Sequence, residues 1–183
     1  MSEDQQPGTP LARLLVEFAN TYDVEGDELI GTPDALRSWL AERHLIAPEA
    51  ALTAKDLDLA RQLREGLREA MIAHHEDDSA EIPELADASA KIPVQVAFSG
   101  PQPYLIPTGT AGQRALGELL IAVQQCSAEG TWTRLKLCAD STCAWAFYDA
   151  SKNQCRNWCS MRTCGNRHKT RAYRSRQLAA ESA

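Results

Sequence analysis

The stretch CADSTCAWAFYDASKNQCRNWCSMRTC, residues 138–164, decides how the C-terminal part of this chain can fold. It holds five of the six cysteines, and four of them form two close pairs, Cys138 with Cys143 and Cys159 with Cys164. Four residues separate the members of each pair, and fifteen residues separate the pairs. Two close pairs at such a distance are typical of a four-thiolate zinc site. A closed site of this kind stabilises a fold and leaves no open position for chemistry.

Other uses of the cysteines remain open on spacing alone. Disulfides are one alternative, but MSEDQQPGTP at the N-terminus lacks the features of a secretion signal, so we expect a cytoplasmic protein in which structural disulfides are rare. Cys155 could replace Cys159 as a ligand, because it also precedes Cys164. His168 could also compete, and Cys126, near the end of an apolar helix, is expected to be a small core residue.

The segment around the cysteines is too small to bury a large core. Domains below ~40–50 residues usually depend on a metal, a disulfide or a partner. Structural zinc contributes ~10–16 kcal/mol of apparent binding energy in peptides, which would meet that need. WTRLKLC and AWAFYD alternate like short strands, and we expect Trp145, Phe147 and Trp158 to form the small core of this module.

The longer N-terminal part has the pattern of a helix-rich domain with a small sheet. Thr32 and Thr53 are predicted N-caps of two helices, the first of which continues with Pro33. Further segments predict a short helix, two strands and a third long helix: IPELADASA, PVQVAF with PYLIP, and TAGQRALGELLIAVQQC. The predicted class is therefore α+β, with a four-cysteine zinc finger ending in a basic helix. The predicted boundaries are a disordered tail at 1–10, a sensing or association domain at 11–130, the finger at 131–178 and a tail at 179–183.

The charge is divided between these two parts. Residues 1–130 carry 22 acidic and 9 basic residues, a net charge of −13, whereas residues 131–183 carry 3 acidic and 10 basic residues, a net charge of +7. This asymmetry predicts that the basic part meets an anionic partner, DNA first and RNA as an alternative. The predicted contacts are Arg156, Arg162, Arg167, Lys169, Arg171, Arg174 and Arg176.

The positive charge of the basic helix can also be explained without a nucleic-acid partner. Arg167, Arg171 and Arg174 share an arc of ~60° at 100° per residue, and no clear apolar stripe opposes them. Such a face suits phosphates and guanine edges, because the guanidinium is a planar fork of donors. It could instead be a solvated surface, or could dock on the acidic domain of the same chain and mask the finger.

Residues 138–176 resemble the CGNR-type zinc finger, named for the four residues from Cys164 to Arg167. The matching positions read C-x4-C-x-W-x-F-x-D-x-S-K-N, then R-N-W-C-S-M-x-x-C-G-N-R-x-K-x-R-x-Y-R. The resemblance implies a single zinc ion bound by Cys138, Cys143, Cys159 and Cys164. It leaves Cys155 and His168 outside the ligand pattern.

The N-terminal part resembles the ABATE domain that accompanies this finger. The matching pieces are EFANTYD, TPDALRSWLAERHL and DLDLARQLREGLREAMIAHH. Proteins of this architecture are regarded as stress-linked bacterial transcription regulators, so the resemblance implies a role in transcription.

Other functional signals are weak. Asn20 and Thr21 follow an apolar segment and are candidate ligand-binding residues for an unidentified small molecule. We expect no enzymatic activity and no membrane partner, since the chain has no nucleotide-binding glycine loop, no metalloprotease or hydrolase motif and no long apolar run. A homodimer remains open. The alternative functions are a protein-interaction adaptor and a redox sensor that loses zinc on oxidation.

Overall fold

The structure, a computed structural model, describes residues 8–24, 26, 28–75 and 81–181, without the side chains of residues 176 and 178–181. Within these residues helices dominate and two small antiparallel sheets accompany them, which confirms the α+β class. The elements, in order, are α1 (Pro10–Ala19), α2 (Pro33–Glu42), α3 (Ala54–Ala73), α4 (Pro83–Ser89), β1 (Val94–Ser99), β2 (Gln102–Pro107), α5 (Ala111–Ala128), β3 (Leu135–Leu137), β4 (Ala146–Tyr148) and α6 (Asn166–Glu181).

The helices begin at the predicted caps. The Thr32 side chain accepts a hydrogen bond from the backbone of Ala35, and Thr53 forms a reciprocal capping box with Asp56. Such caps satisfy backbone N–H groups that have no partner within the helix. The short helix α4, the hairpin β1–β2 and the long helix α5 also form in the predicted segments.

Both predicted tails need correction at their inner ends. Helix α1 was not predicted, but it begins at Pro10 behind the cap Thr9, so the tail proposed for 1–10 includes a helical residue. At the other end α6 continues to Glu181 and enters the tail proposed for 179–183. Residues 1–7, 182 and 183 lie outside the described part of the chain.

Helices α1, α3 and α5 supply most of the large buried side chains. Phe18, Leu63, Leu67 and Leu119 are fully buried in one apolar cluster. Helix α4 lies directly against α3, because Gly66 has no side chain to separate them: a Cβ there would stand 2.6 Å from the Leu85 backbone. No helix in the described ranges is long and apolar enough to cross a membrane.

The sheet β3–β4 belongs to the same core as the helices. Leu135 and Leu137 of β3 and Ala146 of β4 are buried within the apolar cluster that contains Phe18 and Leu67. Strand β3 packs against α3, and β4 packs against α1. The expected boundary near residue 130 therefore does not separate two hydrophobic cores.

Candidate metal centre and basic helix

The two cysteine pairs meet at one point beyond the β3–β4 sheet. Cys138 directly follows β3, and Cys143 ends a turn in which its N–H donates to the carbonyl of Asp140 at 2.8 Å. Cys159 ends the loop after β4, and Cys164 lies in a single π-helical turn, Met161–Gly165. The four Sγ atoms all lie within 4.8 Å of one another.

This arrangement fits a tetrahedral zinc ion. A Zn–S distance of about 2.3 Å puts the sulfurs of a regular tetrahedron about 3.8 Å apart. The Sγ of Cys159 lies 3.6 Å from that of Cys143 and 3.8 Å from that of Cys164. Zinc binding by these four cysteines is thus supported by the geometry as well as by their spacing.

The pKa shifts of Cys138, Cys159 and Cys164 also favour a bound cation. A hydrogen bond from Cys159 lowers the pKa of Cys138 to about 5. Burial and the neighbouring sulfurs raise the pKa of Cys164 to about 12, and the hydrogen bond with Cys138 raises that of Cys159 further. The Cys138 thiolate therefore forms easily, whereas Cys159 and Cys164 resist ionisation, because like charges repel at this distance. A bound divalent cation removes that penalty and provides for four thiolates.

The alternative ligands lie elsewhere. Cys155 is exposed and outside the cluster, and Cys126 is buried in the apolar core as expected. The ring of His168 packs against Trp158 at a centroid distance of 5.3 Å. All six cysteines are free thiols, so the structure has no disulfide in place of the metal site.

A small aromatic cluster surrounds the cysteines, as predicted. Phe147 is 1% exposed, and Trp145 and Trp158 pack on it and on the cysteine side chains. Arg156 was predicted to contact nucleic acid, but its guanidinium donates to the carbonyls of Trp158 at 3.0 Å and Cys159 at 2.6 Å. It supports the loop that presents Cys159.

Asp149 organises the same loop from beneath. Its Oδ1 accepts from the N–H and the hydroxyl of Ser151, and its Oδ2 accepts from the N–H of Arg156. Burial would raise the pKa of Asp149, but these hydrogen bonds and Lys136, 3.4 Å away, lower it. Lys136 is only 3% exposed, which the alternation of Leu135 and Leu137 did not predict, because alternation assigns the residue between them to the solvent face.

The predicted nucleic-acid contacts on α6 and in the turn before it form two groups. Arg167 and Arg171 both approach Asp140 in the first cysteine turn. Arg162, in the π-helical turn, Lys169 and Arg174 are exposed and form no ion pair with any described residue. The side chain of Arg176 lies outside the described part of the structure.

The two candidate ligand-binding residues are engaged inside the fold. The amide of Asn20 forms two hydrogen bonds with the backbone of Ala146, at 2.9 and 2.8 Å. The hydroxyl of Thr21 donates to the Phe18 carbonyl and accepts from Arg64. These contacts explain both residues without a ligand, and a small-molecule role for them stays a prediction.

Arg68 of α3 and the two histidines directly after that helix join the N-terminal helices to the cysteine region, and none was singled out for this from the sequence. Arg68 donates to the carbonyls of Ala19 and Ala144, at 2.9 and 3.1 Å. His74 contacts the carbonyl of Leu135 through Nδ1 at 2.7 Å, and His75 contacts that of Leu137 through Nε2. The sequence does not reveal these contacts, because it does not show which strand lies beside the end of α3.

Comparison with known families agrees with this architecture. The sequence model of the CGNR zinc finger matches residues 134–177. The ABATE model, described as "Putative stress-induced transcription regulator", matches residues 12–140, and the two matches meet in β3 and the first cysteine turn. A search of curated proteins gave no significant match. The chain accordingly belongs to the ABATE family and carries a zinc-binding CGNR finger at its C-terminal end.

Proposed function

We propose that this protein is a zinc-dependent transcription regulator that binds DNA through α6 and the turn before it. The observation that carries the proposal is the set of unpaired cations beside the metal site. Arg162, Lys169 and Arg174 are exposed and have no acidic partner in the described structure. Exposed cations without an acidic partner are suited to the phosphate backbone, which dominates the affinity of DNA-binding proteins.

The anchoring of α6 supports the same proposal. Helix α6 packs mainly against the π-helical turn that contains Cys164. The metal site therefore fixes the start of the helix, and most of its length is left for a partner. The net charge of +7 in residues 131–183 makes that partner anionic.

The N-terminal domain would sense a ligand or mediate association, including with a second copy of the chain. Its link to the finger is direct, because Asn20 and Arg68 bind backbone groups of the Ala144–Ala146 segment beside Cys143. A change in the packing of α1 or α3 would thus reach the cysteine turn. The free thiols fit the reducing cytoplasm that we propose as its location. We propose no enzymatic role, since four protein thiolates complete a zinc site.

The test is equilibrium binding of the zinc-loaded full chain to a fluorescent duplex at several salt concentrations. Affinity should fall steeply with salt, with each phosphate contact contributing about 0.9 to the slope. The double variant Lys169→Glu, Arg174→Glu should lose most of the affinity. Lys55→Glu, an exposed residue at the start of α3, makes the same kind of charge change away from α6 and should bind as the wild type does.

Two outcomes would contradict DNA binding through α6. One is a wild-type protein that does not bind the duplex at low salt. The other is a Lys55→Glu variant that loses as much affinity as the double variant, which would assign the effect to net charge alone. A protein-interaction adaptor would then be the better description.

A further inference from the structure

The geometry points to two kinds of DNA contact on α6. Arg167 and Arg171, which lie beside Asp140, read guanine bases in the major groove, whereas the cations without an acidic partner, such as Lys169 and Arg174, contact phosphates. This inference rests on the proposed DNA binding and adds the kind of sequence that is recognised. It also makes Asp140 a positioning residue of the interface.

Asp140 holds both arginines from the first cysteine turn. Its side chain is 1% exposed, and its Oδ1 accepts from the N–H and hydroxyl of Thr142 at 3.2 and 2.8 Å. The Nη1 of Arg171 lies 3.3 Å from Oδ1, and the Nη1 of Arg167 lies 3.3 Å from Oδ2. Arg167 Nη1 also donates to the Thr142 hydroxyl at 2.7 Å. A buried carboxylate that is itself oriented by Thr142 thus lies within ion-pair distance of both guanidinium groups: Arg171 donates a hydrogen bond to it, and Arg167 donates one to Thr142.

Arg167 and Arg171 can still donate hydrogen bonds to a partner outside the protein. Every contact that the structure gives to their guanidinium groups goes through Nη1, while their side chains remain 39% and 55% exposed. The Nε and Nη2 groups can therefore donate to a partner outside the protein. A guanidinium offers two parallel donors, which match O6 and N7 of guanine in the major groove.

Arg174 provides an internal comparison. It continues the same arc of α6, one turn beyond Arg171, but it has no carboxylate beside it in the described structure. Preorganised arginines are suited to directional base contacts, whereas an unrestrained arginine is suited to phosphates.

The spacing of the two arginines sets the expected site. Residues four apart in a helix are separated by about 6 Å along its axis, because the rise is about 1.5 Å per residue. Successive base pairs of a duplex are about 3.4 Å apart. The expected site therefore has two guanines within two base steps. DNA is favoured over RNA, because the major groove of A-form RNA is too narrow for side chains to read.

The experiment selects bound sequences from a pool of randomised DNA duplexes with the zinc-loaded full chain, then measures affinity for the selected duplex and a scrambled one. The selected duplex should carry two guanines within two steps. Replacing either by 7-deazaguanine, which removes N7 but keeps base pairing, should weaken binding about tenfold, in line with the value of a bidentate contact.

Matched variants separate base reading from charge. Arg171→Lys keeps the charge but loses the fork, so the preference for the selected duplex should fall about tenfold while the salt slope stays. Arg174→Lys should leave the preference unchanged. Asp140→Asn should reduce the preference without reducing the affinity for the scrambled duplex. Zinc content and unfolding curves establish that each variant is folded, and Arg171→Lys alone decides the test if Asp140→Asn is not.

Each result has a defined meaning. Salt-dependent binding without any sequence preference would overturn the guanine-reading inference and leave the proposed DNA binding intact. So would a preference that Arg171→Lys and 7-deazaguanine leave unchanged, or a stronger preference for an RNA duplex of the same sequence. Absence of binding to every duplex would overturn the proposed function itself, and the inference with it.

Discussion

Chemically identical cysteines have different roles in this chain because of their surroundings. Cys143 and Cys155 both lie in the loop-rich C-terminal region, yet only Cys143 has its sulfur among three others. Cys143 reaches that position through the turn at Asp140, in which Ala144 adopts a φ of 44°. A left-handed residue of this kind costs energy outside glycine, and the turn's hydrogen bonds to Asp140 offset that cost.

The clearest test at this scale compares two serine variants. Cys143→Ser should lose zinc on dialysis, because three thiolates and a hydroxyl bind the ion more weakly than four thiolates do. Cys155→Ser should keep one zinc per chain, since its sulfur lies outside the cluster. Metal analysis of the purified proteins gives the answer. Equal zinc content in the two variants would mean that the ligand set is wrong.

Helix α3 connects the N-terminal helices with the strand that leads into the zinc finger. Its N-terminal end is capped by Thr53, and its middle is buried against α1. Directly after its C-terminal end, His74 and His75 contact backbone carbonyls of β3. The strand continues directly into Cys138. The end of one helix therefore bears on the position of a zinc ligand.

The contact of His74 makes stability depend on pH. Burial, with the charges of Lys136 and His75, lowers the pKa of His74 below its ordinary value of 6.5, although the hydrogen bond to Leu135 acts in the opposite direction. The unfolded chain therefore binds this proton more tightly than the folded chain does. Its contribution to stability is complete above pH 6.5 and is lost as the pH falls through the lowered pKa.

Urea unfolding at a series of pH values checks this expectation. His74→Asn keeps a side-chain donor but does not titrate, so its unfolding free energy should fall less than that of the wild type as the pH decreases below 6.5. His44→Asn replaces an exposed histidine with a φ of 57°, which asparagine also tolerates, and should follow the wild type. Parallel curves for all three proteins would contradict a role for His74.

The described part of the chain has one large apolar cluster and one small cluster that includes the metal ligands. Leu135, Leu137 and Ala146 belong to the large cluster, and Phe147 belongs to the small one, so adjacent residues of β4 face different interiors. The buried pair of Lys136 and Asp149 lies next to this junction. Part of the finger therefore belongs to the core of the helical domain, and the rest is built around the four cysteines.

Zinc removal should consequently cause local unfolding. With a chelator present, amide hydrogen exchange should accelerate in residues 138–165, where the small cluster depends on the cysteines, while α3 and α5 keep their protection. Mass spectrometry of exchanged peptides resolves these regions. Loss of protection along the whole chain would show that the metal holds the large cluster as well.

Local chemistry was enough to predict the helix starts at Thr32 and Thr53, the hairpin, and the cysteines that converge, because caps, alternation and ligand spacing act over a few residues. The chain pattern did not reveal helix α1, the burial of Lys136 or the internal use of Arg156, since each depends on partners that folding brings close. The continuity of the core across residue 130 has the same origin: the strands after that residue are too short to bury their own apolar side chains, so they complete the surface of α1 and α3. The hold of Asp140 on Arg167 and Arg171 joins residues 27 and 31 positions apart, and only the folded chain places them together.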